Sequence, residues 1–565
     1  MSLFRRFARL SAGQIILLSM FSTAWSAERV DLLITNGVVY DGSGGPPTRT
    51  EVAVRAGRVL ALGKSGDYVS DKTIDARGQA VSPGFINMLS WAPETLLEDG
   101  RGMSDVRQGV TLEVFGEGDS FGPLTAEMKT ELRKRQSDIV YDVTWTTLGE
   151  FLDTLVKRGV SPNVASFLGA ATIREHELGF ANRAPTPAEL GRMQNLVRAG
   201  MREGALGIGS ALIYAPGVYA RTDELIALTQ AAGEFGGGYI SHMRSESDGL
   251  LGAIDELIDI GKAAKVHAEV YHLKAAGEKN WPLMQQAIAK IEAARKAGTQ
   301  VSANMYPYTA GATGLDAAMP PWVQEGGLEA WIERLKKPEI RARVLKEMRT
   351  PDKSWENLYL AAGSPERVLL IGFKSERLKP LTGKSLAQVA KMRGTSAEDT
   401  AIDLVIEDGT RVSTAYFLMS EENVKKGLSQ SWVSIGSDEG APAPEGVFLK
   451  SNPHPRAYGS FARFLGHYVR DEKVTTLADA IRRITRLPAD NFKLKERGCL
   501  APGCHADIVI FDPKTIGDKA TFDDPQRYST GVTHVFVNGV QVVSDGEHTG
   551  AKPGQVVRGP GWVAR

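Results

Sequence analysis

Only two cysteines occur in 565 residues, too few for a disulfide-framed scaffold or a cysteine-built zinc cluster. Charge of either sign is also missing in net terms. The 67 Lys and Arg are matched by 67 Asp and Glu, without the basic excess that nucleic-acid binding requires. No glycine-rich phosphate-binding run follows any strand-like segment, so the mark of a nucleotide-binding open sheet is absent. No apolar run approaches the roughly 20 residues needed to cross a bilayer. Histidine is scarce, at nine. What is present is ordinary globular composition, 42% hydrophobic and 24% charged, which excludes a disordered chain. Glycine is in surplus, 60 residues against a usual level of about 7%. Many tight turns are expected.

The first 27 residues resemble a leader rather than part of a fold. Arg5, Arg6 and Arg9 precede a short apolar core from Ile15 to Phe21, and Ala24-Trp25-Ser26-Ala27 supplies small residues for cleavage. This predicts a signal peptide and an exported protein, most simply in a bacterial periplasm. Short alternating strands follow, Asp31 to Ile34, Val38 to Tyr40, Glu51 to Val54 and Gly57 to Leu60, with a hairpin turn expected at Asn36-Gly37. The far end has the same style, with Ala506 to Phe511, Thr533 to Val540 and an Asn538-Gly539 turn. Both ends therefore predict one small β-sandwich, from 28–82 plus 492–565. Cys499 and Cys504 flank a turn there, and an exported location permits a disulfide between them.

Between them, 83–491 alternates strand-like and helix-like runs. Val110 to Phe115, Val164 to Leu168, Ala205 to Gly209, Gly238 to Ser241, Ala268 to Tyr271, Gln300 to Ala303 and Val433 to Gly436 read as strands. Pro187 to Glu203 and Thr222 to Phe235 read as helices, the second with Thr222 and Asp223 as N-cap candidates. So many β–α units predict an α/β protein with a (β/α)8 barrel rather than an open sheet. The Trp-, Lys-, Arg- and Glu-rich stretch around 317–352 reads as an insertion with the character of a lid.

Pro83-Gly84-Phe85-Ile86 resembles the entry into the first barrel strand of the amidohydrolase superfamily. Further runs narrow the resemblance to its D-aminoacylase (N-acyl-D-amino-acid deacylase) branch. They are Gly109-Val110-Thr111, Ser241-His242-Met243-Arg244-Ser245-Glu246, His272-Leu273-Lys274, Tyr306-Pro307-Tyr308, Gly436-Ser437-Asp438, His454-Pro455-Arg456-Ala457-Tyr458-Gly459 and Gly503-Cys504-His505-Ala506-Asp507. They span nearly the whole chain in the family's order. Each alone is weak; together they are specific.

The chain departs from that pattern where the family binds metal. The family continues from Pro-Gly-Phe-Ile into Asp-x-His-x-His, whereas this chain reads Asn87-Met88-Leu89-Ser90-Trp91. Ala170 stands where the branch often has another histidine, and Gly116-Glu117-Gly118 replaces a ligating cysteine. Leucine has no donor atom and an indole N–H only donates, so neither binds a cation. One metal position is therefore expected to be lost. The other is expected to keep one divalent ion, zinc by preference, on Glu117, His242 and His272, three ligands with one position open. Glu113 lies on the same strand face and is the alternative carboxylate. Trp91 either fills the space of the lost ion or shapes an acyl pocket. His176, His267, His467, His534 and His548 have no such context and read as structural.

The resemblance implies hydrolysis of a small-molecule amide bearing a carboxylate. Asp438 would be the acid/base group, moving a proton from water to the leaving nitrogen. Lys274, Tyr306 and Arg456 would grip the substrate carboxylate, although a structural ion pair is the competing reading of Arg456. Arg244 is assigned to the His242 loop through Glu246, and Tyr308 to packing. Two rivals remain at this stage: hydrolysis of a cyclic amide or lactone on the same scaffold, and a non-catalytic binding protein that has lost the chemistry.

Overall fold

A computed structural model describes residues 27–64 and 66–564; the expected leader lies outside these residues except for Ala27. Among the described residues no helix is long and apolar enough to cross a membrane. The centre of the molecule is a closed ring of parallel strands. In chain order they are Phe85–Asn87, Val110–Phe115, Asn163–Ser166 with its continuation Leu168–Gly169, Gly207–Ala211, Gly238–His242, Ala268–Val270, Val301–Met305 and Val433–Ile435. Each pairs in parallel with the next. The eighth returns to the first through Met88 N–H to the Ile435 carbonyl and a parallel bridge between Ser90 and Glu439. The expected (β/α)8 barrel is therefore present, and its strand ends converge on one mouth.

The helices form where the caps and the apolar stripe agree. Pro187–Arg202 starts from Thr186, whose side chain accepts from the Glu189 backbone while Glu189 reaches back, a complete capping box with proline at the first turn. The helix Thr222–Gly233 corrects the capping expectation. Its N-cap is Arg221, because the Thr222 hydroxyl is drawn away to Glu256 on the neighbouring helix Leu250–Ala264.

Two sheets built from both chain ends lie beside the barrel. One runs in the order Arg58–Gly63, Glu51–Arg55, Glu28–Thr35, Tyr68–Asp75; the other joins Val38–Val39, Thr48–Arg49 and Ala80–Pro83 to Ile508–Phe511, Val532–Val537, Val540–Ser544 and Glu547–His548. Leu32, Ile34, Val52 and Val54 from the first sheet share a core with Val81, Ile508, Ile510 and Phe536 from the second, as in a sandwich. Asn538-Gly539 turns a true hairpin between Val537 and Val540. Asn36-Gly37 does not. Asn36 adopts the left-handed conformation, but the strands on either side enter different sheets, so the turn carries the chain across the sandwich. Cys499 and Cys504 are joined by a disulfide.

The insertion is wider than 317–352. Between the seventh and eighth barrel strands the chain builds an antiparallel sheet of Ala310–Gly314, Ser413–Phe417 and Val368–Gly372. It has a core of its own that includes Trp331, Leu370, Ile402 and Tyr416. Its helices Leu386–Arg393 and Ala397–Asp408 carry the same period as barrel helices, which is why the sequence pattern does not separate them.

Inside the barrel, Glu113 is not near the histidines. It and Asp105 are wholly buried and share a hydrogen bond with each other. Asn87 Nδ2 donates to Asp105 Oδ2 at 3.0 Å, to Glu113 Oε2 at 3.1 Å and to Ser437 Oγ at 2.8 Å. Burial without a cation raises both carboxyls, Asp105 most, with the Glu113 charge adding to it. A raised acid favours the folded state at low pH. That contribution is present below the ordinary carboxyl range and is lost as pH rises through the raised values. Asp105→Asn, which mimics the protonated acid, should therefore gain on the parent as pH rises from about 5 to 8, by about 2 °C in Tm. Thermal melts of both proteins check this; a Tm difference that does not change with pH contradicts it.

Candidate metal and hydrolytic site

Glu117 leaves the second strand between two glycines in positive-φ conformations, Gly116 at 105° and Gly118 at 72°. A side chain at either would collide, 2.5 Å from the Phe167 carbonyl oxygen and 2.6 Å from the Ala211 side chain. The glycines let the turn fold tightly enough to point the carboxylate inward. His242 is the last residue of the fifth strand, and His272 stands two residues beyond the sixth. The three side chains meet. His242 Nδ1 lies 3.1 Å and His272 Nε2 2.9 Å from Glu117 Oε1, and one ligand atom from each falls within 4.8 Å of the others. All three residues are buried.

This donor set fits a divalent cation. One carboxylate oxygen and two imidazole nitrogens converge, and among the described residues no fourth His, Cys, Asp or Glu joins the group, the pattern of a catalytic rather than a structural zinc site. Among the described residues His242 Nε2 is buried without a hydrogen bond and lies 3.8 Å from Glu246 Oε2, while Nδ1 is the nitrogen turned to Glu117. Burial pushes the Glu117 carboxyl up, but the two imidazoles outweigh it and hold the group well below its ordinary range. It is an ionised carboxylate at neutral pH.

The surrounding groups form a buried charge network. Lys274 Nζ and His272 Nδ1 approach Glu246 Oε1 at 2.6 and 2.9 Å. Trp91 Nε1 donates to Glu117 Oε2 at 2.8 Å. Arg456 Nη1 pairs with Asp438 Oδ2 at 2.7 Å, and its guanidinium lies 4.5 Å from the centre of the Tyr306 ring. Burial raises the Asp438 carboxyl; Arg456 opposes and Glu117 adds to the rise. Such a group is disposed to accept and return a proton. Asp438 and His272 are both held at positive φ, 56° and 35°, conformations that side chains rarely adopt. The Leu89 carbonyl accepts the Asp438 N–H at 2.8 Å, and Asn304 Oδ1 accepts the His272 N–H at 2.9 Å. Glu117, His242, His272, Lys274, Asp438 and Arg456 all face one cavity of about 680 Å³, within the usual range of small-molecule sites.

Glu117, His242, His272, Lys274, Tyr306, Asp438 and Arg456 are thus brought to one place, but three details differ from the sequence reading. Lys274 and Arg456 do not stand free for a ligand; each is already paired with a carboxylate of the site. Arg244 does not engage Glu246. It pairs with Glu256 at 2.9 Å and donates to the Val218 and Ala220 carbonyls, because Glu246 is taken by Lys274. Glu113 is withdrawn as a ligand. Sequence reasoning missed the roles of Glu246 and Asn87. Glu246 lies inside a run that carries the resemblance, and Asn87 begins the segment that departs from it, where an asparagine replacing the family's aspartate was the available signal.

The match to known proteins covers the same ground. Residues 168–543 match the model of the amidohydrolase family. The chain is 32% identical over 528 residues to a D-aminoacylase from Alcaligenes xylosoxydans xylosoxydans, covering 93% of this chain and 97% of that one. The chain belongs to the amidohydrolase family. Among solved structures, N-acyl-D-glutamate deacylase from Bordetella bronchiseptica, complexed with zinc and a phosphonate mimic of the tetrahedral intermediate, is 31% identical. It superposes with a TM-score of 0.76 over 94% of this chain and 100% of its own. A D-aminoacylase studied for its binuclear metal centre, with one-metal activation and second-metal attenuation, is 30% identical, also at a TM-score of 0.76 and with the same coverage.

As an amidohydrolase, this chain is expected to take up its cation against a proton. Burial and the Lys274 ammonium lower the His272 pKa, but Glu246 and Glu117 on either side outweigh them and hold it at about 9. Ligation must expel that proton. Zinc affinity should therefore rise about tenfold per pH unit between about pH 6 and 8. Competition against a chelator at several pH values measures it, and a flat profile rules out the proton exchange.

Proposed function

We propose that this amidohydrolase removes the acyl group from N-acyl amino acids of the D series, using a single divalent cation, zinc by preference, held by Glu117, His242 and His272. The observation that carries this reading is the convergence of that ligand set with Asp438 on one cavity, in a chain 32% identical over nearly its whole length to a D-aminoacylase. When bound, the cation supplies Lewis-acid polarisation of the amide and makes a water acidic enough to react near neutral pH.

The remaining work falls to the chain itself. Asp438, with its raised carboxyl, takes the proton of the attacking water and delivers it to the departing nitrogen, so that the amine leaves neutral. Arg456 holds Asp438 in place through its ion pair and, with Lys274 and Tyr306 on the same cavity wall, offers positive charge and a phenol to the substrate carboxylate. A carboxylate arriving there competes with Asp438 for Arg456, which would free the aspartate when substrate is bound. Walls formed by the inserted segment, including Tyr416 and Trp331, shield the site from bulk water. We further propose export to the periplasm, supported by the Arg5 to Ala27 leader pattern and by a Cys499–Cys504 disulfide, a bond at home in oxidising compartments.

Asp438→Asn should lower kcat by about 10²- to 10⁴-fold while leaving the bound metal in place, as read by elemental analysis beside steady-state kinetics. A panel of N-acyl-D- and N-acyl-L-amino acids, dipeptides, hydantoins and lactones tests the substrate class. Turnover of hydantoins or lactones without turnover of N-acyl-D-amino acids would move the reaction to ring opening. Full activity in Asp438→Asn would remove its assigned role.

A further inference from the structure

The metal centre contains one contact that its ligands do not require. Glu117 uses its two carboxylate oxygens differently. Oε1 faces both imidazoles, while Oε2 accepts the indole N–H of Trp91 at 2.8 Å. Trp91 is well placed to hold that contact. Its backbone N–H donates to the Glu439 carbonyl at 2.9 Å, and the adjoining Ser90 pairs with Glu439 where the barrel closes. The residue is 44% exposed and lines the same cavity. Leu89, one alternation earlier, is buried in the barrel's inner apolar cluster. Its carbonyl accepts the N–H of Asp438.

A second ion sharing Glu117 would need the free oxygen and new donor atoms on the first strand. Positions 89 and 91 supply neither, and the Asn87 Oδ1 of that strand is already engaged by the Ser437 N–H at 2.8 Å. Leu89 has no donor atom, an indole nitrogen cannot ligate, and its N–H already caps Oε2. A hydrogen bond to a carboxylate is also stronger than a neutral one and fixes the ligand's rotation. We infer that Trp91 takes the place of a second cation and locks Glu117 as a one-oxygen ligand, so that the centre stays mononuclear even in excess metal. Trp91 is therefore a positioning residue. This rests on the single-ion reading above and extends it, because it names what keeps the second ion out.

The full-length chain is loaded with zinc from 1 to about 20 equivalents, passed through gel filtration and analysed for metal per chain. The parent should saturate at one ion at every loading, and Leu89→His/Trp91→His should reach two. Trp91→Phe, which keeps the ring and removes only the N–H, should still bind one ion, about tenfold more weakly in chelator competition. Paramagnetic Co²⁺ should quench part of the parent's tryptophan emission, and that part should be missing in Trp91→Phe. If the parent holds no metal, the metal-centre reading itself fails. If it holds two, or if Trp91→Phe binds zinc as tightly as the parent, the ion is real but Trp91 does not control it. Should the double histidine variant not fold, the parent's stoichiometry and the Trp91→Phe affinity decide the question alone.

Discussion

A carboxylate buried at the end of the second strand is the constraint on which the site is built. Glu117 cannot stay ionised there unless positive charge or hydrogen-bond donors surround it. The structure meets the requirement on both sides of the group: His242 and His272 on one oxygen, Trp91 on the other. The compensation then spreads outward. His272 leans on Glu246, and Glu246 is balanced by Lys274. The result is an alternating chain of charges in which each member is stable because the next is present. Removing one leaves a buried charge unpaired, the most damaging change such a network can suffer.

The backbone serves the same site. Closing the barrel brings the first strand against the eighth, and the closure is made by polar groups rather than by a ladder alone. Asn87 Oδ1 accepts the Ser437 N–H at 2.8 Å, and the Leu89 carbonyl accepts the N–H of Asp438. These bonds hold Asp438 at its positive φ, directly beside Arg456. Beneath them lie Asp105 and Glu113, which Asn87 bridges without adding a third acid. An aspartate at 87 would place three carboxyls in contact, so the asparagine and the buried pair are mutually dependent.

Much of this was legible in the chain. The alternation of strand and helix marked the barrel, and the β-rich ends marked the sandwich, because both patterns are local and periodic. His242, His272, Lys274, Tyr306 and Asp438 could be named because each ends or follows a strand within a run that resembles the family, Arg456 because it lies in such a run, and Glu117 because it follows a strand where the family has a ligand. Other features were not legible. The helices of the insertion share their period with barrel helices, so its extent depends on which sheet they pack against. The Asn36-Gly37 turn has the chemistry of a hairpin, but sheet membership sends its two strands apart. Arg244 is only two residues from Glu246 along the chain and Lys274 is far from it in sequence, yet the course of the loops brings Lys274 to it and not Arg244.

The sequence by itself determined the kind of protein and the inventory of groups: no imidazole at 89 or 91 on the first strand, His242 and His272 after later ones, and a carboxylate at Asp438. These are properties of residue type, and leucine and tryptophan fail as ligands wherever they are placed. The tertiary structure decided the pairings. It brought Glu117 rather than Glu113 to the two histidines, joined Arg456 to Asp438, and turned Trp91 from a bulky substitution into the donor that holds the second oxygen of Glu117. Pairing depends on distance and direction across strands far apart in the chain, between Trp91 and Glu117 or between Asn87 and Ser437. A residue's identity limits what it can bond, but only packing sets what lies within 3 Å of it.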